Sequence, residues 1–489
     1  MSAGPQTSFT KRHLWNWTSF AGGVIAFAGF FAFLLLSAID FIAHASSPYV
    51  GILAYVVAPS FLIFGLALMA LGAWMQHRHS RQSGGTAWEI DFSRLKDRRK
   101  LALFAVVSTI FLICTAMGSY QTYHMSESVE FCGETCHTPM HPEFTAYQNS
   151  PHARVACVEC HVGSGAKAYV AAKWNGVHQM VCVFTGKYHR PIETPIKNLR
   201  PAQETCEQCH WPGKFDGNLD RTYNHFLTDK TNTQFSVRLL LHVGGADPAL
   251  GPVGGIHWHV SQNNKIEYIA TDDKRQVIPW VRVTNSRGEV TEYRDPSFKG
   301  DISKYEIRRM DCIDCHNRPA HNYRAPNDSV DLAMSLGQID RTMPWVKSNA
   351  VEVLTRPYQT TDEAVQKIAT TLRSEYPTNT SADGLVASVQ TIYTNNFFPE
   401  MKVDWQSYPV NIGHKNWPGC FRCHDGSHKT ADKKKTIPAS DCNTCHTIIA
   451  QGNGDDLQKL NGKGNVFFHI DSEYTDFSCN TCHTGGIQK

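Results

Sequence analysis

Fourteen of the chain's 16 cysteines stand in seven close pairs, and each second Cys is followed at once by His. Six groups read C-x-x-C-H: Cys157/Cys160/His161, Cys206/Cys209/His210, Cys312/Cys315/His316, Cys420/Cys423/His424, Cys442/Cys445/His446 and Cys479/Cys482/His483. The seventh, Cys132/Cys136/His137, has one extra residue. This is the attachment sequence of c-type haem, in which two thioethers fix the porphyrin edge and the adjacent His reaches the iron from one face. Disulfides, a redox dithiol or zinc would not require a His after every second Cys. Cys114 and Cys182 stand outside the pattern, and Cys114, in the middle of an apolar run, reads as a small packing residue.

Seven haem c groups constrain the fold. The motifs all lie in residues 125 to 489, about 52 residues per haem, so macrocycles must supply much of the core. The expectation is a mostly α and loop multihaem domain with little regular structure. With Lys plus Arg at 47 and Asp plus Glu at 44, the charge is +3, too balanced for a nucleic-acid binder. No dinucleotide fingerprint and no P-loop occurs.

The first 125 residues suit a different solvent. Uncharged apolar runs at 14 to 39, 49 to 76 and 101 to 125 are each long enough to cross a hydrocarbon layer of about 30 Å, which predicts three transmembrane helices. Trp15, Trp17, Tyr49, Trp74, Tyr120 and Tyr123 near the run ends suit interfacial positions. Ala43-His44-Ala45 resembles a signal-peptide cleavage site, but the first run is too long for that reading. Arg78, Arg81, Arg94, Lys96, Arg98, Arg99 and Lys100 crowd the loop between the second and third runs, and Lys11 and Arg12 precede the first. Positive-inside then puts the N-terminus in the cytoplasm and the haem domain on the opposite, periplasmic side of a bacterial inner membrane, where c-type haem is attached.

The expected organisation is a membrane anchor at 1–125, a tetrahaem domain at 126–325 with a β-rich insert at about 212–305, a helical spacer at 326–413 and a trihaem domain at 414–489. In the insert, 265–271, 276–284 and 289–293 alternate as strands of a small antiparallel meander, with a turn at 285–288. In the spacer, 329–336 and 361–372 carry the apolar spacing of helices.

A family resemblance rests on particular stretches: Tyr123, His124 and Met125 leading into Cys132; Ser150, Pro151 and His152 before Cys157; and the fourth motif followed by His321, five residues after His316. Over roughly 100 to 321, less the insert, the chain resembles the NapC/NirT/NrfH family of membrane-anchored cytochromes, which take electrons from membrane quinol and hand them to periplasmic acceptors. With seven motifs and two further helices, it looks like the larger heptahaem inner-membrane relatives that feed extracellular electron transfer. The resemblance implies His321 as distal ligand of haem 2, His152 of haem 4 and Lys173 of haem 3. For haem 3, His178 or an insert His competes with Lys173, because a ligating amine must be neutral and strongly desolvated. At haem 1 the axial ligand is either His137 or Met140.

Counting extends the ligand set. Three histidines near the last motifs, His414, His428 and His469, match the three irons of haems 5 to 7. His257 and His259 would share one face of a strand, which suits either metal ligation or a polar strand face.

A quinol pocket is expected where the third helix meets haem 1, lined by Tyr120, Gln121, Tyr123, His124 and either Lys173 or His178. Small family members place an acidic proton acceptor after the second motif. This chain has no Asp or Glu between Glu159 and Glu193, so His124 or His178 becomes the substitute. The expected partners are the quinone pool, the inner membrane and periplasmic c-type cytochromes or a periplasmic reductase; oligomerisation is left open. Two other readings remain: a wire subunit of a larger respiratory complex, and a terminal reductase of nitrite, hydroxylamine or a sulfur compound, which would need an open iron. The intact mass of denatured protein is expected to exceed the polypeptide by seven haems; six would remove the Cys132/Cys136 site.

Overall fold

The computed structural model describes residues 16–43, 57–83, 93–135, 137–162, 166–196, 200–245, 254–261, 263–439 and 442–469. Cys136, Cys479, Cys482 and His483 lie outside these. Three long helices come first: α1 (Trp17–Ala43), α2 (Ala58–Ser83) and α3 (Leu95–Glu127). They are followed by α4 (His137–Gln148), α5 (Cys157–His161) and α6 (Ala166–Phe184). The chain forms two compact units, one comprising Met1–Phe131 and Cys157–Val181, the other Cys132–Ala156 and Cys182–Lys489.

In the first unit, Trp17–Ser37 of α1 and Ala58–Arg78 of α2 are long and apolar enough to cross a membrane. Their outer faces expose Phe27, Phe31, Ile63 and Phe64, side chains that water would expel and lipid would accept. What joins the two helices is a seam of small residues at spacings of seven, Gly22 and Gly29 against Gly65 and Gly72. A Cβ on Gly65 would lie 2.4 Å from the Ala26 nitrogen, and one on Gly29 would lie 2.7 Å from the Leu62 nitrogen. The backbones therefore touch, the usual solution where lipid removes the hydrophobic drive for helices to associate. At one end of the seam the buried Asn16 amide donates to Ser19 Oγ at 3.0 Å and to the Gly72 carbonyl at 3.2 Å, and Ser19 Oγ donates to the Met69 carbonyl. α3 runs unbroken for 33 residues, about 50 Å, through the third apolar run.

The second unit carries two small antiparallel sheets. β1 (Leu219–Phe226) pairs with β2 (Gln234–Leu241) in register from Leu219↔Leu241 to Phe226↔Gln234. The expected meander appears as β3 (Lys265–Ile269), β4 (Trp280–Thr284) and β5 (Val290–Arg294), and β6 (Arg308–Arg309) extends it to the order β5-β4-β3-β6. β7 (His446–Gly452) pairs with β2, so the insert hairpin shares a sheet with the C-terminal haem segment. The sequence pattern predicts neither the β1–β2 hairpin nor β7, because their apolar residues do not alternate.

The segment without motifs folds as α-helices at Pro326–Ser335, Val346–Thr355, Thr361–Glu375 and Ala382–Asn396. These bury Val330, Ile339, Met343, Leu354, Ile368, Leu372, Leu385 and Val389 together, with Phe226 from β1 joining them. Thr360 caps the third by accepting from the Glu363 amide. Among the described residues, this largest aliphatic cluster sits where there are no motifs, whereas 126–211 contributes only Ala146 and a few partly buried neighbours to any cluster. That division is what a core partly built from macrocycles requires.

Gly65→Leu is expected to force α1 and α2 apart and destabilise the hairpin by about 1–3 kcal/mol, read as a lower unfolding midpoint in detergent; an unchanged midpoint would show that the seam does not hold the anchor together.

Candidate functional site: histidine pairs and the end of the third helix

The described motifs form single tight turns. In the third, fourth and fifth, the His nitrogen donates to the carbonyl of the first Cys: His210 to Cys206 at 2.8 Å, His316 to Cys312 at 2.8 Å and His424 to Cys420 at 3.0 Å. A turn closed from i+4 to i puts residues i, i+3 and i+4 on one face, which is where both thiols and the imidazole must be to grip one planar group. The fourth motif is fixed by a capping box, Asp311 accepting from the peptide N–H of Asp314 while the Asp314 side chain accepts from the Asp311 N–H. The irregular first motif starts on a π-helical turn at Phe131–Thr135, a turn wider by one residue, matching the extra residue between its cysteines.

Four motif or near-motif imidazoles face a second one across a gap of constant width. Ring centres are 6.1 Å apart for His152 and His210, 6.4 Å for His257 and His316, 5.9 Å for His259 and His424, and 6.3 Å for His414 and His446. Each pair joins one motif His to one from elsewhere in the chain. Two imidazoles bound through one nitrogen each on opposite sides of a metal ion, at about 2.0 Å, have ring centres roughly 6 Å apart.

The hydrogen bonds select the right nitrogen. Nδ1 donates to the Pro319 carbonyl in His152 (3.2 Å), to Val243 in His257 (3.2 Å), to Ile256 in His259 (2.8 Å) and to Glu143 in His321 (3.0 Å). With the proton on Nδ1, Nε2 keeps its lone pair, the arrangement found at histidine metal ligands. Burial pushes His257, His316, His321 and His446 below the usual imidazole range and His424 down to about 4, which favours the neutral, ligating form.

The cysteines of the fourth and fifth motifs suit the same group. Burial raises the thiols of Cys312 and Cys315 to about 11 and of Cys423 to about 12. A redox dithiol needs the opposite shift. The residues there therefore fit covalently held haem, which supplies one-electron redox chemistry when bound.

The second cysteines of three other motifs are less covered by the polypeptide or no better covered. Cys160 and Cys209 are exposed, and Cys445 is only half-buried, with its motif partner Cys442 exposed as well. The reason is local. Cys160 sits on α5, a five-residue helix that buries none of its own residues, and Cys209 closes the 3₁₀ turn Cys206–Gln208, which likewise buries none. One turn has too little surface to cover two thiols; the fourth and fifth motifs lie against each other and half-bury Cys312, Cys315 and Cys423, with Cys420 left exposed. Cys445 is held from one side, its carbonyl accepting from His242 N at 2.8 Å just before β7 begins. Cys315, Cys423 and Cys445 are thus each half-buried, whereas Cys160 and Cys209 are open to solvent, and their assignment to haem rests on motif spacing.

These placements depart from expectation at several further points. His152, assigned by resemblance to the fourth haem, faces His210 of the third motif. Lys173 is placed at the α3 end: its amine ion-pairs with Glu127 Oε1 at 2.6 Å and donates to Ser126 O and Oγ at 3.1 and 3.0 Å. His428, counted among the ligands of haems 5 to 7, is buried with both nitrogens committed, Nδ1 to Asp425 at 2.9 Å and Nε2 donating to the Ile278 carbonyl at 2.7 Å. Burial opposes its charge, yet Asp425 raises it above the usual range, and both ring nitrogens face acceptors, the setting of a structural histidine. His257 and His259 lie on a 3₁₀ turn at Ile256–Val260, not on a strand. His469 rests against Phe467, and Met140 is half-buried on α4.

The end of α3 carries the second cluster, within the first unit. Tyr120 and Tyr123 pack edge-on against His124, with ring centres 4.3 and 5.3 Å away, and Gln121 is exposed beside them. One turn further, Glu127 takes the Lys173 ion pair; its side chain is 11% exposed and that of Lys173 33%. Sequence reasoning missed Glu127 because it sought an acid after the second motif, whereas the fold brings one from the α3 end to α6. The available signal was its position three residues after His124 on the same helix. His178 is exposed on α6.

Paired apolar helices followed by a succession of haem-binding turns define a membrane-anchored multihaem c-type cytochrome of electron transport. Residues 95–210 match the N-terminal region of the NapC/NirT cytochrome c family. The chain is 42% identical over 501 positions to the cytochrome c-type protein ImcH of Geobacter sulfurreducens, covering 98% of this chain and 97% of that one. It is 29% identical over 113 residues to the cytochrome c-type protein NrfH of Wolinella succinogenes, covering 22% of this chain and 62% of that relative. The chain belongs to the NapC/NirT cytochrome c family. No solved structure matches it.

His414→Met is expected to raise the potential of one haem, because a thioether favours ferrous iron, whereas His428→Asn should leave every haem six-coordinate and low-spin. Redox titration of the first variant and the ferric spin state of the second check the contrast, and a high-spin haem in the His428 variant would return that residue to the ligand set.

Proposed function

We propose that this cytochrome is a quinol dehydrogenase: it oxidises a membrane quinol, menaquinol by preference, at the end of α3 and relays the electrons through seven covalent haems to periplasmic acceptors, c-type cytochromes or a periplasmic reductase, towards extracellular electron transfer. α1, α2 and α3 are then three membrane crossings, with the basic 77–100 loop in the cytoplasm. Haems 2, 3 and 6 are held through Cys157 and Cys160, Cys206 and Cys209, and Cys442 and Cys445, on the strength of their C-x-x-C-H spacing. His152 serves haem 3, His414 haem 6 and His469 haem 7, opposite the motif histidines.

The observation that carries the reading is the Glu127–Lys173 pair at the end of a long apolar helix, five residues before Cys132. Quinol oxidation releases two electrons and two protons, and each hydroxyl needs an acceptor. The Glu127 carboxylate takes one proton, with Lys173 and Ser126 orienting it, and the exposed His124 imidazole takes the other towards water. Tyr120 and Tyr123 hold that imidazole in edge-to-face contacts and offer aromatic surface to a quinol ring. On α6, Val170, Trp174, Val177 and Val181 expose an apolar stripe beside Lys173, suited to the lipid boundary from which a quinol arrives.

Purified protein with full haem content is expected to be reduced by a menaquinol analogue alone. Glu127→Gln should slow that reduction by about 10²–10⁴-fold, the usual worth of a general base, with dithionite reduction unchanged. Normal quinol-driven rates in both Glu127→Gln and His124→Ala proteins would sink the site, and no reduction of the parent protein would favour a wire subunit whose partner oxidises quinol.

A further inference from the structure

We propose that the single turn Ile256–Val260 ligates two different irons, His257 completing the fourth haem and His259 the fifth, and that this turn is the junction through which electrons leave the first four haems for the last three. The inference rests on covalent haem in the fourth and fifth motifs and is independent of where quinol binds.

The local geometry requires two seats. Residues i and i+2 of a strand share a face, but on a 3₁₀ turn of three residues they point about 120° apart. His257 accordingly faces His316, with ring planes 9° apart, and His259 faces His424 at 75°. Both separations match those at the His152–His210 and His414–His446 pairs. In both residues Nδ1 is spent on a backbone carbonyl, leaving Nε2 for the gap.

The turn is held rigidly enough for ligation. Ile256 N donates to the His242 carbonyl at 2.8 Å and His257 N to the Val243 carbonyl at 3.0 Å, tying the turn to the end of β2. Gly255 enters it at φ 74°, where a Cβ would come within 2.4 Å of the His242 carbonyl oxygen. Between the two histidines, Trp258 packs on Ile266, Tyr268, Ile278 and Val281, a cluster that also touches Cys423 of the fifth motif.

An independent contact joins the same two motifs. Arg422, inside the fifth, donates through Nη2 to the carbonyl of Asp314, inside the fourth, at 2.8 Å, and through Nη1 to the Arg275 carbonyl at 3.0 Å. Asn411 donates to the same Asp314 carbonyl at 2.9 Å. Motifs whose first cysteines are Cys312 and Cys420, with the whole helical spacer between them in sequence, are thus clamped side by side where the two distal histidines arrive.

The test uses full-length protein carrying its full haem mass. His257→Gly and His259→Gly should each convert one ferric haem from low to high spin and bind one more equivalent of carbon monoxide, when reduced, than the parent. The double variant should bind two more, and added imidazole should restore low spin in each. Two results overturn the proposal: single variants with full haem mass and unchanged spin state and carbon monoxide binding, or two single variants that open the same haem so that the double gains one equivalent. A quinol site elsewhere would leave these readouts unmoved, so failure of the functional reading and failure of this one are separable. Loss of haem from a misfolded Gly variant is met with His257→Met and His259→Met, which keep a ligand. Each should shift one haem potential upward, a different haem in each case, and unshifted potentials would count against the junction.

Discussion

The separation of about one metal ion between paired imidazoles is the constraint on which this fold turns. A C-x-x-C-H turn supplies both thiols and the first imidazole from five consecutive residues, but the second imidazole must come from another part of the chain. Its delivery needs a backbone carbonyl to hold Nδ1 and a rigid element to fix the ring. Pro319 does this for His152, and Val243 and Ile256 do it for His257 and His259. Each of these histidines lies beside a motif histidine remote from it in sequence, His210, His316 and His424 in turn.

The apolar packing follows the same logic. Where no motif occurs, 326–397 builds a conventional helical core around Ile368 and Leu372. Where motifs crowd, the protein keeps short turns, and thiols such as Cys160 and Cys209 stay at the surface of the polypeptide. The two regimes are stitched together through the insert, whose β1–β2 hairpin sends Phe226 into the helical core and pairs along β2 with β7, the strand that begins at His446. His225 and the Phe226 amide both reach Asp331, itself ion-paired with the buried Lys347, so the hairpin is anchored by charge as well as by burial. An insertion in the loop sense is thereby a structural tie.

At the membrane end, the small-residue seam and the Glu127–Lys173 pair divide the labour. Gly65 and its partners make a compact hairpin whose outside is left to lipid. α3 ends instead in polar chemistry, with Ser126 and Glu127 gripping an amine from α6. The family resemblance assigns Lys173 to an iron; in this structure its amine ion-pairs with Glu127 and donates to Ser126 O and Oγ.

The sequence by itself determined the haem chemistry, the apolar anchor, the family and two of the four helices at 326–396, because each is encoded locally: thiol and imidazole spacing, runs of uncharged residues, and period-3.6 burial. Histidine type and number also marked the pool of distal candidates, including His152, His321 and His414. Only the tertiary structure decided which candidate meets which motif, and which motif thiols the polypeptide shields. Cys315 and Cys209 hold the same place in motifs of the same spacing, yet packing against the fifth motif half-buries Cys315 while Cys209 stays exposed. His428 and His257 look alike in sequence; one has both nitrogens spent on Asp425 and Ile278, and the other has one nitrogen turned to His316. Likewise Glu127 became a partner of Lys173 only when α3 and α6 met. Ligation and proton transfer depend on the direction of single lone pairs over a few ångströms, and that direction is set by packing between remote segments, which no local pattern records.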